Sequence, residues 1–190
     1  MIKAILFDIS GVLYDDKAPV RGAVDAINQL QYSGIPLRFV TNSSRSTEAM
    51  ILTTLQKMGF AINDSQVFTA PSAIKHFLQI NKLRPYCLIH PDLEPEFAEF
   101  DQLEPNAVVV ADAAESFDYN RLNSAFELLV EGAPLIGIGR NRYRYRYLNS
   151  AGKLCLDAGP FIQALEYAAS VEAQIMSKPA PEFLWQRLIL

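Results

Sequence analysis

A short apolar run, residues 4–7, opens the chain and stops at the polar turn Asp8-Ile9-Ser10-Gly11. Val24, Ile27 and Leu30 then recur at helical spacing, with Gly34 beyond them as a helix stop. A second apolar run, residues 36–40, breaks at Thr41-Asn42-Ser43-Ser44. Ser46 or Thr47 is placed to cap a helix whose apolar face is Met50, Ile51, Leu52, Leu55 and Met58, and Gly59 ends it. Val67-Phe68 leads through Pro71 into a further helix that reaches Phe77-Leu78. Apolar runs alternating with helices predict a parallel sheet covered on both faces, so that the opening strand is buried. Ligands of such sheets sit at the carboxyl ends of the strands, and both polar turns fall there.

Around Arg84-Pro85 the pattern restarts. Residues 86–89, 107–110 and 135–138 read as strands, and residues 121–129 and 161–167 as helices. This is a second α/β unit of ordinary small-domain size. Residues 175–179 read as a return to the first sheet. The expected fold is α/β, a Rossmann-like parallel-sheet core, incomplete at the C-terminus, with an inserted α/β cap. Residues 1–78 form the first part of the core, 79–172 the cap, and 173–190 the truncated return. No internal repeat or low-complexity tract interrupts the chain.

Composition narrows the classes of function. Half of the 190 residues are apolar and 20% are charged, a profile with material for an ample core. A net charge of −4 argues against a general binder of nucleic acid or anionic membrane. No apolar run approaches the roughly 18–20 residues a membrane span requires, and the first ten residues lack the features of a signal peptide. Cys87 and Cys155 fit neither metal spacing nor a disulfide framework, so reduced core cysteines and a cytoplasmic location are expected.

Three places carry candidate chemistry. Asp8 puts a carboxylate where the backbone N–H groups of a tight turn converge, and such a carboxylate can attack phosphorus and hold it covalently. Taken alone, it reads more readily as a turn-capping Asp. Thr41 and Asn42 repeat that placement on the next strand and can hold a phosphoryl oxygen, although Asn-Ser-Ser is also ordinary capping material. Lys178, before Pro179-Ala180-Pro181, can supply the positive charge that phosphoryl transfer needs; its bland reading is a surface lysine.

Together Asp8-x-x-Gly11-Val12-Leu13, Val40-Thr41-Asn42 and Lys178-Pro179-x-Pro181 resemble, in order and spacing, the motif series of the haloacid dehalogenase-like hydrolase superfamily. A cap between the second and third motifs is similar to the capped subgroup of nucleotide and p-nitrophenyl phosphatases. A closer likeness runs through nearly the whole chain, in FDISGVLYD, LRPYCLIHPDLEPEF, NAVVVADAAESFDYNRLNSAF, LDAGPFIQALEYA and KPAPEF. It implies a Mg²⁺-dependent phosphatase that forms an aspartyl-phosphate and acts on small phosphorylated compounds, phospholysine, phosphohistidine or inorganic pyrophosphate among them. Asp8 would be nucleophile and magnesium ligand, and the Ser10 carbonyl a second ligand. Thr41 and Asn42 would bind the phosphoryl group, and Lys178 would neutralise it and orient Asp8. No nucleic acid or membrane is implied as a partner; a homodimer is compatible.

Two departures stand out. Most of the superfamily carry a general-acid Asp two residues after the nucleophile, where this chain has Ser10. A fourth motif with further magnesium carboxylates, usually Gly-Asp-Asp, is expected after Lys178, yet no Asp follows Asp157 and residues 182–190 read as helical. The competing expectation is therefore a truncated, inactive phosphatase-like protein or binding module. Two other features point elsewhere only weakly. Arg140 to Tyr147 alternates Arg and Tyr, read as a strand with Tyr packed and Arg solvated, or less readily as a single-strand nucleic-acid binder. His76 and His90 lack metal spacing and read as structural.

Overall fold

The computed structural model describes residues 2–15, 18–148, 151–181 and 183. In chain order the first part comprises β1 (Ile5–Asp8), β2 (Tyr14–Asp15), β3 (Ala18–Pro19), α1 (Ala23–Gln31), β4 (Leu37–Thr41), α2 (Glu48–Lys57), β5 (Val67–Thr69) and α3 (Ala70–Asn81). The second comprises β6 (Pro85–Leu88), α4 (Glu94–Phe97), β7 (Ala107–Val110), α5 (Tyr119–Val130), β8 (Leu135–Gly137), β9 (Tyr143–Leu148), β10 (Ala151–Leu156), α6 (Ala158–Ala169) and β11 (Gln174–Ile175). The helical reading of residues 182–190 lies, Phe183 apart, outside the described residues.

Capping side chains start the helices where the sequence places them. Thr47 accepts from the Met50 N–H, Thr69 from Ser72 and Asp118 from Arg121, each satisfying an otherwise unpaired first-turn donor. Asp157 likewise accepts from the Ala158 N–H at the start of α6.

Seven of the described strands form two parallel sheets, ordered β1-β4-β5 and β11-β8-β7-β6, and the other four form the antiparallel pairs β2-β3 and β9-β10. Asp8 pairs with Val40 and Thr41 with Thr69, so the ends of three strands are level at one edge of the first sheet. Beneath that edge lie Phe39, Leu55, Ile9, Leu13 and Ile27, all nearly inaccessible. Val108, Val109 and Val110 of β7 are fully buried, with α5 and α6 packed against that strand, and each buried side chain of that size contributes about 1.5–3 kcal/mol. The buried face of α3 (Ala70, Ala73, Ile74, Leu78) belongs to this second core, so the helix that crosses residue 78 joins the two units.

Three expectations are corrected. Gln174–Ile175 does not return to the first sheet; it pairs in parallel with Ile136-Gly137 of the second. Gly137 permits this approach, because a Cβ there would lie 2.8 Å from the Ile175 Cδ1 and 2.7 Å from that of Ile162. Next, β1 is not covered on both faces: its residues alternate between half-buried and exposed. Finally, the Arg/Tyr alternation has the opposite sense. Tyr143 and Tyr145 are 54% and 61% exposed, while Arg144 turns inward to an ion pair with the buried Asp112. A buried carboxylate needs a charged partner more than a tyrosine needs burial. The alternating run is one strand of a β9-β10 hairpin whose second strand carries no comparable signal in the sequence.

Candidate active site

Asp8 is the last residue of β1, and the turn after it is anchored by burial. Ile9 and Leu13 are each only 1% exposed and pull the turn down onto the core. Within it the Leu13 N–H donates to the Ile9 carbonyl (2.9 Å) and the Gly11 N–H to the Tyr14 carbonyl (2.8 Å). Gly11 adopts φ +76°, a conformation other residues reach only at a cost. The Asp8 carboxylate stands above this turn, and its Oδ1 accepts from the Ile9 N–H at 2.8 Å.

Lys178 completes the pair. Its ammonium lies 2.6 Å from Asp8 Oδ1 and donates also to the Val40 carbonyl at 3.2 Å. Both of these contacts to Asp8 fall on Oδ1, which leaves Oδ2 on the open side of a carboxylate whose side chain is 48% exposed. Lys178 is delivered by β11, an edge strand of the second sheet, and is pinned beyond by Phe183, whose ring stacks on Phe68 at 4.8 Å. The lysine of the site thus hangs between the two sheets.

Thr41 and Asn42 sit at the neighbouring strand end. Thr41 is 4% exposed, and its hydroxyl accepts from the Ser43 N–H at 3.2 Å, keeping its own proton for donation. Asn42 is turned to Lys178: its Nδ2 donates to the Lys178 carbonyl (3.1 Å) and its Oδ1 accepts from the Lys178 N–H (2.9 Å). Its side chain therefore places the lysine. Ser10 is exposed in the turn. A cavity of about 30 Å³ separates Asn42, Ser44 and Lys178 from Gly139, Asn141 and Asp157 of the second unit, room for about one water molecule.

Sequence reasoning missed Arg45 and Asp112. Arg45 lies in the loop that leaves Thr41 and Asn42 and forks onto Asp112. Burial pushes the Asp112 carboxyl up, but the hydrogen bonds and charge of Arg45, the Ala114 N–H and the charge of Arg144 together outweigh this and hold it below the usual carboxylate range. The available signal was an Asp directly behind an entirely apolar strand, a position that demands a cationic partner. His90 caps its own turn, accepting from the Asp92 N–H, and His76 lines a groove with Lys75, Glu96 and Glu99. Cys87 and Cys155 are half-buried and unpaired, and burial pushes the Cys87 thiol up to about 12.

The residues present give hard oxygen donors for a cation, the Asp8 carboxylate and the backbone carbonyl of Ser10. Among the described residues no group of three or more His, Cys, Asp or Glu could hold a metal; these two donors alone would supply only part of a magnesium shell.

Residues 5–102 match the family described as haloacid dehalogenase-like hydrolase. The phospholysine phosphohistidine inorganic pyrophosphate phosphatase of Homo sapiens is 42% identical over 188 residues, 96% of this chain and 68% of that protein. This chain belongs to the haloacid dehalogenase-like hydrolase family. It is a phosphatase of that family, with further relatives such as the haloacid dehalogenase-like hydrolase domain-containing protein 2 of Mus musculus, 38% identical across 98% of this chain and 71% of that one. A hypothetical protein of Pyrococcus horikoshii superimposes with a TM-score of 0.85 at 26% identity, covering 98% of this hydrolase and 76% of its own chain. NagD from E. coli K-12 gives 0.84 at 21% identity over 98% and 74%, a likeness of fold. The α/β architecture with parallel sheets is that of capped haloacid dehalogenase-like phosphatases.

Proposed function

We propose that this phosphatase works through an aspartyl-phosphate on Asp8, with magnesium as cofactor. Its substrates on this reading are small phosphorylated compounds, with phospholysine, phosphohistidine and inorganic pyrophosphate preferred. The observation that carries the reading is the contact of Lys178 Nζ with Asp8 Oδ1 at 2.6 Å, made across 170 residues of chain.

In the first step Asp8 Oδ2 forms a bond to phosphorus while the P–N or P–O bond breaks, and the leaving group departs with its electron pair. Water then attacks phosphorus, and the Asp8–phosphorus bond breaks to release inorganic phosphate and the free carboxylate. Lys178 fixes Asp8 through Oδ1 and offsets charge on the phosphoryl group, while the Thr41 hydroxyl donates to a phosphoryl oxygen. Asp8 and the Ser10 carbonyl would hold magnesium, which when bound supplies further positive charge against the phosphoryl oxygens.

Ser10 supports the substrate preference. A serine hydroxyl is too weak an acid to protonate a departing alkoxide near neutral pH. A phosphoamide nitrogen can take its proton from solvent, and pyrophosphate leaves as a stabilised anion. The names of the relatives point the same way. The reading also includes a core-and-cap division near residue 78, with the return to the core after Ile175, a cytoplasmic location and a homodimer. It includes no nucleic-acid or membrane partner; no described helix is long and apolar enough to cross a membrane.

The test is Mg²⁺-dependent turnover of p-nitrophenyl phosphate and phosphoimidazole, with trapping of a hydroxylamine-sensitive phosphoenzyme. Asp8→Asn should lose turnover by on the order of 10³-fold or more and lose the phosphoenzyme. Turnover by Asp8→Asn at the wild-type rate would refute the assignment.

A further inference from the structure

Asp112 follows β7, at the carboxyl edge of the second sheet, and its side chain is 2% exposed. Its Oδ2 accepts from Arg45 Nε and from Arg144 Nε, both at 2.6 Å. Its Oδ1 accepts from Arg45 Nη2 at 3.0 Å and from the Ala114 N–H at 3.1 Å. Two guanidinium groups from different parts of the chain therefore converge on one buried carboxylate. Arg144 reaches it from the hairpin of the second unit, and Arg45 reaches it from the first.

Arg45 belongs to the loop that leaves β4 through Thr41 and Asn42 and ends at Thr47, the cap of α2. The loop is held at its start by the Asn42 amide on Lys178, and at its end by the Thr47 cap. Between these two points its side-chain tie to the second unit is Arg45 on Asp112. An apolar contact would stabilise such a junction at least as well, because burying a carboxylate is costly. A forked arginine contact specifies direction and distance, which an apolar contact does not. Geometry of that kind matters for a loop that must meet a phosphoryl group, where small misplacements are costly.

We infer that Asp112 is a positioning residue for the phosphate-binding loop, acting through Arg45, with Arg144 bracing the carboxylate from behind. The inference rests on the reading of Thr41 as a phosphoryl ligand. Asp112 itself touches no reacting atom. The second unit thereby contributes to phosphate affinity from a point away from the attacking oxygen. The lowered Asp112 pKa agrees with a carboxylate that stays charged and gripping at neutral pH.

The experiment uses the whole chain and the variants Asp112→Asn, Arg45→Lys and Arg144→Gln. Arg45→Lys keeps the charge but cannot make the two-nitrogen grip. Two readouts are taken: amide hydrogen exchange of residues 42–46, and steady-state kinetics on p-nitrophenyl phosphate with inorganic phosphate as inhibitor. Asp112→Asn and Arg45→Lys should speed exchange in the loop about tenfold and raise KM and the phosphate inhibition constant by a similar factor, equivalent to about 1.4 kcal/mol. The effect on kcat should be smaller, Arg144→Gln should act weakly in the same direction, and the Asp112→Asn/Arg45→Lys double variant should be no worse than the worse single.

A lowered melting temperature with loop exchange and KM unchanged would make Asp112 merely structural and overturn the inference. Should Asp112→Asn fail to fold, the Arg45 and Arg144 variants decide by the same criteria. Faster loop exchange in a protein that turns over no phosphate ester would uphold the grip while removing the phosphatase mechanism proposed above.

Discussion

Asn42 grips the backbone of Lys178 on both sides of one residue, donating to its carbonyl at 3.1 Å and accepting from its N–H at 2.9 Å. The carboxamide is matched in polarity and spacing to the N–H and C=O of a single residue, which belong to two successive peptide units. Aspartate cannot replace it, since a second oxygen would face the Lys178 carbonyl. Asn42→Asp should therefore displace Lys178 from Asp8, lowering kcat by about 10²-fold and stability by about 1–3 kcal/mol. Turnover of p-nitrophenyl phosphate and urea unfolding measure the two effects. Wild-type kcat in this variant would mean that Lys178 is placed by β11 and Phe183 alone.

Ser10 lies two residues beyond Asp8, the proposed nucleophile, in the exposed part of the turn. Ser10→Asp should supply a proton donor for alkoxide leaving groups and raise kcat/KM on glycerol phosphate by about 10²-fold. Phosphoimidazole and pyrophosphate should gain much less. The comparison is a kcat/KM series on the three substrates. A wild-type preference for glycerol phosphate would show that Ser10 does not set specificity.

Glu166 ties the end of β8 to the entry of β11. It accepts from Arg140 Nη1 and Nη2 at 2.9 and 2.8 Å and from the Ala173 N–H at 2.8 Å. The Arg140 hydrogen bonds hold its carboxyl below the usual glutamate range. Because the folded value is the lower one, the stabilisation is fully present above the unfolded pKa of about 4.3 and is lost as pH falls through the folded value. Glu166→Gln should cost about 1–3 kcal/mol at neutral pH. The gap from wild type should close below about pH 4, as read by urea unfolding across that range. A gap independent of pH would assign the loss to packing.

Gly159 sits in the first turn of α6, where a Cβ would lie 2.5 Å from the Asn141 carbonyl oxygen and 2.8 Å from the Arg140 carbonyl carbon. Alanine gains up to about 1 kcal/mol of helix propensity over glycine. The clash is with backbone on a neighbouring segment, which cannot rotate away, and overpacking of this kind costs about 1–3 kcal/mol. Gly159→Ala should therefore be net destabilising in thermal unfolding; a raised melting temperature would show that the 140–141 segment yields easily.

Local pattern alone determined the strands at residues 107–110 and 135–137 and the helices around Ile27, Leu55 and Leu129, because hydrophobic period and caps are properties of neighbouring residues. It also marked Asp8, Thr41 and Lys178, each standing where an apolar run meets a turn, and the family likeness named their chemistry. Tertiary structure decided what those residues touch. The sheet that receives Gln174–Ile175 depends on a docking partner some forty residues earlier, since β11 pairs with Ile136 and Gly137, and two residues of strand carry no periodicity to announce it. Alternation in Tyr143 to Tyr147 showed that Arg and Tyr face opposite ways, but which face turns inward was settled by Asp112, a buried charge that needs a cation. The partner of the Asn42 side chain, the Lys178 backbone, lies 136 residues away. Contacts of that range arise only when both sheets have formed, so no window of sequence contains them.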